Sequence, residues 1–138
     1  MNQSESPIFL DTNVIVRYLT NKPLDMAEAA GRIIDSDQTL ILSETILAET
    51  AYVLASFYQE PRSKIVDALS SFILRRNIQM AKISKALTLD ALLLCRESKR
   101  HSFADALLWA EAQQSESRKI YTFDRRFPAI GVDLIVPA

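Results

Sequence analysis

Short apolar runs alternate along this chain with longer stretches of helical periodicity. Ile8-Phe9-Leu10 is an apolar run that reads as a buried strand. A helical stretch from about Thr12 to Leu19 follows, and Asn21-Lys22-Pro23 ends it. Leu24, Ala27, Ala30, Ile33 and Ile34 recur at helical spacing as a second apolar stripe. Thr39 to Leu42 reads as the next strand, with Ser43 placed as the N-cap of a helix. Glu44 to Tyr58 reads as one long helix. Pro61 breaks it and opens another, with Ile65, Leu69, Phe72 and Ile73 on its inner face, so the pair forms an αα-hairpin. Asn77 to Lys82 fits a short strand. Ser84 caps a helix with Leu87, Ala91, Leu94 and Cys95 on its apolar side, and Ser102 caps another with Phe103, Leu107 and Ala110 inside. Lys119 to Phe123, rich in β-formers, and Asp133 to Val136 complete the strands.

Strands alternating with helices predict an α/β fold: a three-layer α/β/α arrangement around a mostly parallel central sheet. Right-handed crossovers then align the C-terminal ends of the strands along one edge. No linker, internal repeat or low-complexity segment interrupts the pattern, so residues 1–138 are expected to form a single domain. Apolar residues at 49% and charged residues at 24% fit a globular protein. The apolar runs are broken well before bilayer length, so no membrane span is expected. Residues Met1 to Pro7 lack the basic start and apolar centre of a signal peptide, which points to the cytoplasm. Cys95 is the only cysteine, which rules out an internal disulfide.

The pattern places four carboxylates in comparable positions. Asp11 ends the first strand and Asp124 follows Thr122-Phe123 at the end of another. Glu49 falls in the second turn of the helix after Leu42, and Asp105 in the first turn of the Ser102 helix. In an open α/β sheet these places share the edge where ligands bind. Each acid also has a structural explanation. Asp11 and Asp124 can cap helices, and Ser102 to Asp105 matches a capping box. Glu49 can face solvent or favour the positive end of its helix. Yet Ala48, Ala51, Tyr52 and Val53 surround Glu49, and a carboxylate in such a setting needs a partner. Clustered carboxylates repel and raise one another's pKa, whereas Mg²⁺ or Mn²⁺ reverses that balance and prefers such hard oxygen ligands. Such an ion acidifies water and stabilises charge on a phosphate ester.

Other chemistries lack their residues. His101 is the only histidine, and with Cys95 it gives no zinc-binding spacing. The two glycines, Gly31 and Gly131, form neither a phosphate-binding loop nor a nucleophile elbow. Cys95 on the apolar side of its helix reads as a small core residue. Net charge is −1, and it becomes +3 without the four acids. Basic pairs at Arg75-Arg76, Lys99-Arg100, Arg118-Lys119 and Arg125-Arg126 would suit a polyanion if they ringed the acidic pocket; for each pair taken alone, ordinary surface charge is the better explanation.

Phe9-Leu10-Asp11-Thr12-Asn13, the isolated Glu49, Phe103-Ala104-Asp105-Ala106-Leu107 and Thr122-Phe123-Asp124 together resemble a PIN domain, most closely the VapC-type toxin ribonucleases of toxin–antitoxin pairs. Each motif alone is short, and their order and spacing carry the resemblance over nearly the whole chain. It implies a metal-dependent endoribonuclease that cleaves RNA phosphodiesters with Mg²⁺ or Mn²⁺. Asp11, Glu49 and Asp105 would then be the core metal-binding acids, with Asp124 as the fourth. Asn13 and Thr122 resemble the family's supporting polar positions. A homodimer and a protein antitoxin are further implications. The apolar hairpin from Ile46 to Ile73 is a candidate groove for an antitoxin helix, although Leu47, Leu54, Phe57, Tyr58 and Phe72 can equally pack the core. Trp109 and Phe127 likewise fit core or interface. Charge and position along the chain, rather than a motif, suggest Arg17 and Arg125 as RNA contacts. Two rival classes remain: an aspartate-nucleophile phosphatase, which would want an acid where Asn13 stands, and a PIN-like module that binds RNA or protein without cutting.

Overall fold

The middle of a covered parallel sheet must be apolar on both faces, and β1 (Ile8–Leu10) is buried at all its positions. The computed structural model describes residues 6–97 and 101–138. After β1 come α1 (Thr12–Thr20), α2 (Leu24–Ile34), β2 (Leu40–Ser43), α3 (Glu44–Ser56) and α4 (Arg62–Ile73). Then follow β3 (Ile78–Ala81), α5 (Lys85–Glu97), α6 (Phe103–Gln114), β4 (Lys119–Tyr121) and β5 (Asp133–Ile135). The sheet order is β3-β2-β1-β4-β5 and every pairing is parallel. The expected three-layer α/β/α architecture is therefore observed, with a sheet that is parallel throughout its described strands.

The order of strands positions the site. The chain builds outward from β1 to β2 and β3, then crosses to the other side of β1 for β4 and β5. That reversal opens a crevice at the C-terminal ends of β1 and β4. Asp11 follows β1 directly and donates its backbone N–H to Tyr121 O at 3.0 Å, which ties the two strand ends together. Beneath this edge, Leu10, Leu40, Leu42, Ile46, Leu108 and Ile120 are all fully buried. They join sheet and helices in one core.

Local signals govern the helix ends. Ser43 Oγ accepts from Thr45 N at 3.1 Å, Ser84 Oγ from Leu87 N at 3.2 Å, and Ser102 Oγ from Asp105 N at 3.0 Å. Asn21 closes α1 in the left-handed conformation at φ 59°. The long helix ends at Ser56, two residues before the expected Tyr58, because the chain turns through Gln59 at φ 55° ahead of Pro61. Phe57 and Tyr58 thus sit at the end of α3. On the hairpin, Leu54, Ile65 and Leu69 are buried together, Phe72 joins the main core, and Phe57 is exposed. Phe127 is core, while Trp109 is half-buried and donates Nε1–H to Ile130 O at 2.8 Å. Cys95 is half-buried against Ala91 and Ala106, and burial pushes its thiol pKa up, away from nucleophilic use. No helix among the described residues is long and apolar enough to cross a membrane.

Candidate active site

Asp11 is the most constrained of the four acids. It directly follows β1, is 2% exposed, and its Oδ1 accepts from Thr12 N at 2.8 Å as the cap of α1. Oδ2 accepts from Thr122 Oγ1 at 2.6 Å and from Asn13 Nδ2 at 3.4 Å. Thr122 and Asn13 also hold each other and the chain that follows. Asn13 Nδ2 donates to Thr122 Oγ1 at 3.2 Å, and Asn13 Oδ1 accepts from Phe123 N at 3.1 Å. Thr122 Oγ1 also accepts from Asp124 N at 3.0 Å. A side chain locked at both oxygens presents its remaining lone pairs in one direction.

Glu49 arrives from α3 and is half-buried. Its partner is Thr12, whose hydroxyl donates to Glu49 Oε1, while Ala48 and Tyr52, expected to surround it, are exposed. Asp105 enters from the first turn of α6, where Ser102 anchors its backbone. One oxygen each from Asp11, Glu49 and Asp105 lies within 4.8 Å of the others. Asp124 lines the same cleft but stands outside that tight triplet. It caps a turn rather than a helix, with Oδ1 accepting from Arg126 N at 2.9 Å.

The electrostatics follow from this crowding. Burial raises the Asp11 pKa to about 6, with the charges of Glu49 and Asp124 adding and the bonds from Thr122 and Thr12 opposing. Burial raises Asp105 further, to about 7, reinforced by Asp11, Glu49 and Asp124. Asp11 and Asp105 thus resist ionising while their neighbours are charged. A divalent cation removes that conflict, and an all-carboxylate set is the hard-oxygen donor set that Mg²⁺ and Mn²⁺ take. The residues present fit such an ion.

The family model of the PIN domain matches residues 8–133. The chain belongs to the PIN domain family. Three solved structures share the fold. VapC20 of Mycobacterium tuberculosis, described as a sarcin–ricin loop cleaving toxin, is 24% identical with a TM-score of 0.73, over 91% of this chain and 95% of that one. VapBC2 from Rickettsia felis, solved with a DNA fragment from its promoter, is 18% identical at TM-score 0.65, over 93% and 96%. FitAcB from Neisseria gonorrhoeae is 22% identical at TM-score 0.62, over 94% and 97%. No curated protein matches the chain in sequence.

Not every residue singled out from the sequence of this PIN domain comes to the cleft. Arg17 lines it, whereas Arg125 is exposed on the turn after Asp124 and does not. Arg75-Arg76 and Arg118-Lys119 precede or begin strands, so they lie at the opposite, N-terminal edge of the sheet. Arg75 is taken up there by an ion pair with Asp35. These two pairs therefore form no basic ring around the acids, and the ordinary surface-charge reading holds for them. Parallel strands separate residues before and after them by the full strand length. Lys99-Arg100 lies outside the described residues.

One buried acid was not singled out from the sequence. Glu111 of α6 is 3% exposed and accepts from Ser43 Oγ at 3.0 Å, while its Oε2 has no partner among the described residues. Its surroundings, Leu108, Ala110 and Ala112, signal it as the apolar neighbours of Glu49 do. Burial raises its pKa to about 7, against the lowering effect of the Ser43 bond. A raised carboxyl pKa means the native state binds the proton more tightly than the unfolded chain, so stability falls as pH rises from the ordinary value through about 7. Glu111→Gln keeps an acceptor for Ser43 and removes the charge. Thermal melts should find it close to the parent at pH 5 and more stable at pH 8, by on the order of 2 kcal/mol. A variant less stable than the parent at pH 8 would mean that the ionised carboxylate is compensated there.

Proposed function

We propose that this PIN domain, acting as a single domain over residues 1–138, is a metal-dependent endoribonuclease that hydrolyses RNA phosphodiester bonds. The carrying observation is the convergence of Asp11, Glu49 and Asp105 oxygens within 4.8 Å at the crevice between β1 and β4. These three hold Mg²⁺ or Mn²⁺, and Asp124 supports the ion from the same cleft. The ion, when bound, supplies a Lewis acid for the phosphate and acidity for the attacking water. The protein supplies geometry. Thr122 and Asn13 orient Asp11, Thr12 orients Glu49, and Ser102 fixes the turn that carries Asp105. Arg17 at the cleft wall offers a planar donor fork to a backbone phosphate, and Arg125 adds an exposed charge beyond Asp124. The complete set of acids argues against a non-catalytic module.

From the resemblance to VapC-type toxins and the toxin named for the M. tuberculosis relative, we further propose a cytoplasmic toxin that forms a homodimer and is held by a protein antitoxin. A groove of about 550 Å³ between α3 and α4, with Leu47, Tyr52, Ile65, Val66 and Ile73 in its walls, suits the apolar face of an antitoxin helix. The sarcin–ricin loop named for the M. tuberculosis relative makes looped RNA a first substrate to try.

The test is incubation of the purified protein with a labelled mixture of cellular RNAs in Mg²⁺, Mn²⁺ or excess chelator. Asp105→Asn serves as the control for contaminating nuclease. Discrete fragments that need the metal and vanish with the variant are expected. Cleavage indifferent to both chelator and substitution, or no cleavage with either ion, would overturn the reading.

A further inference from the structure

Two acids are buried among the described residues, and only Asp11 belongs to the cleft. The other, Glu111, lies in the middle of α6. A carboxyl taken out of water costs stability, so packing alone is a poor reason for one there. Its bond reaches a second helix. Ser43, fully enclosed, donates its hydroxyl to Glu111 Oε1 at 3.0 Å and accepts from Thr45 N at 3.1 Å as the N-cap of α3. A hydroxyl has one proton to give, so this arrangement fixes the start of α3 against α6 in one geometry.

The spacing of these residues connects them to the metal-binding acids. Glu49 stands six residues after Ser43 on α3, and Asp105 stands six residues before Glu111 on α6. Six residues are about 9 Å of helix. The two helices pack directly, with Ile46 and Leu108 in one core. They therefore meet at two corners of a frame. One corner is the Ser43–Glu111 bond, and the other brings the Glu49 and Asp105 oxygens within 4.8 Å. The offsets are equal and run in opposite senses along the chain, so a slide of either helix that changes one corner changes the other. At the acid corner the carboxylates repel. Glu49 leans on Thr12 of α1, and the Asp105 backbone on its own cap Ser102, so neither bond spans α3 and α6. The attractive side-chain bond across the frame is the one at Glu111.

We propose that Glu111 is a positioning residue of the metal site: through Ser43 it locks the helix that carries Asp105 to the helix that carries Glu49, and so sets the separation of those two carboxylates. This rests on the metal-dependent reading of the same site. Glu111 touches neither acid and acts only by fixing the helices. Ser43 directs its proton to Oε1, so the bond holds whether or not Oε2 is protonated. A small hard cation tolerates little error in ligand spacing, which is where such a lock has its effect.

The experiment titrates Mn²⁺ into the full chain and follows the bound ion by electron paramagnetic resonance, well below the melting temperature of every variant. Glu111→Leu removes the acceptor and keeps a side chain of similar size, whereas Glu111→Gln keeps the acceptor. Ser43→Gly cuts the same bond from the other helix and remains a tolerated N-cap. Glu111→Leu and Ser43→Gly should each weaken Mn²⁺ binding by roughly tenfold, the low end of the loss when a supporting partner is removed, and alter the spectrum of the bound ion. Their combination should be no weaker than either alone, since both act through one bond. Glu111→Gln should keep the parent's affinity and spectrum. A folded Glu111→Leu that binds Mn²⁺ like the parent would overturn the proposal, even if its Tm falls, because the pair would then be structural only. So would a Glu111→Gln as weak as Glu111→Leu. If Glu111→Leu does not fold, Ser43→Gly decides by the same criterion. These outcomes leave the metal reading standing. A parent that binds no Mn²⁺, or binds it equally well as Asp11→Asn, would overturn that reading and the proposal with it.

Discussion

Asp11→Asn is expected to reduce metal-dependent RNA cleavage by about 10³-fold while leaving the circular dichroism spectrum unchanged. The size of the effect follows from where the carboxylate stands. Asp11 is one of three oxygens that meet within 4.8 Å, and it is fully enclosed. An amide in its place can still accept from Thr122 or Thr12, so the local fold survives, but it brings no negative charge to the ion. Residues that act through Asp11 should cost less. Thr122→Val or Asn13→Ala leaves the charge and loosens its orientation, for which roughly 10- to 100-fold is expected. Rates for the three variants under single-turnover conditions give the ordering. Asp11→Asn as active as Thr122→Val would remove Asp11 from the metal set.

Stability without metal should fall as pH rises, and divalent ions should restore it. Folded-state pKa values of about 6 for Asp11 and about 7 for Asp105 lie above the ordinary 3.8. The native state therefore holds these protons more tightly than the unfolded chain. Stability is lost from about pH 4 upward and the loss is complete above pH 7. After discounting Asp105, which is only half-buried, the combined effect is on the order of 3 kcal/mol, or roughly 10 °C in Tm between pH 5 and pH 8. Mg²⁺ or Mn²⁺ takes the place of the protons, so it should raise Tm more at pH 8 than at pH 5. Glu111 lies outside the cluster, so its share of the pH slope should persist in saturating metal. Differential scanning of the parent and Asp11→Asn, with and without ion, separates these contributions. A parent whose Tm rises steadily from pH 5 to pH 8 in chelator would contradict the assigned shifts. An ion effect that survives in Asp11→Asn would place the bound metal elsewhere.

The helices and their ends were legible because their signals are short-range. Ser43, Ser84 and Ser102 each bond a backbone N–H within three residues, and the Pro61 break acts on its immediate neighbours. The same holds for β1, whose three apolar residues can only be buried in a sheet covered on both faces. Strand β3 was faint, with only Ile78 buried along Ile78–Ala81, as befits an edge strand. The four acids stood out one by one because a carboxylate after a strand or among alanines is conspicuous, and the order of their motifs pointed to the PIN family before any contact was known.

Which of these groups meet is a matter of chain distance. Thr12 and Glu49 are 37 residues apart, Ser43 and Glu111 are 68 apart, and Asp11 and Thr122 are 111 apart. No local pattern encodes such pairs; Thr12 meets Glu49 once β2 pairs with β1, and Asp11 meets Thr122 once the crossover after β3 sets β4 beside β1. The same crossover ranks the acids, bringing Asp11, Glu49 and Asp105 into one triplet and leaving Asp124 at its side. It also sends two basic pairs to the far edge and leaves Phe57, an ordinary apolar position in the linear pattern, exposed at the mouth of the cleft. The linear sequence determined the elements, their caps and the identity of the acids, since periodicity and capping act within a few residues. Tertiary structure alone decided partners, burial and the side of the sheet each charge occupies, since those depend on where the crossovers place distant segments.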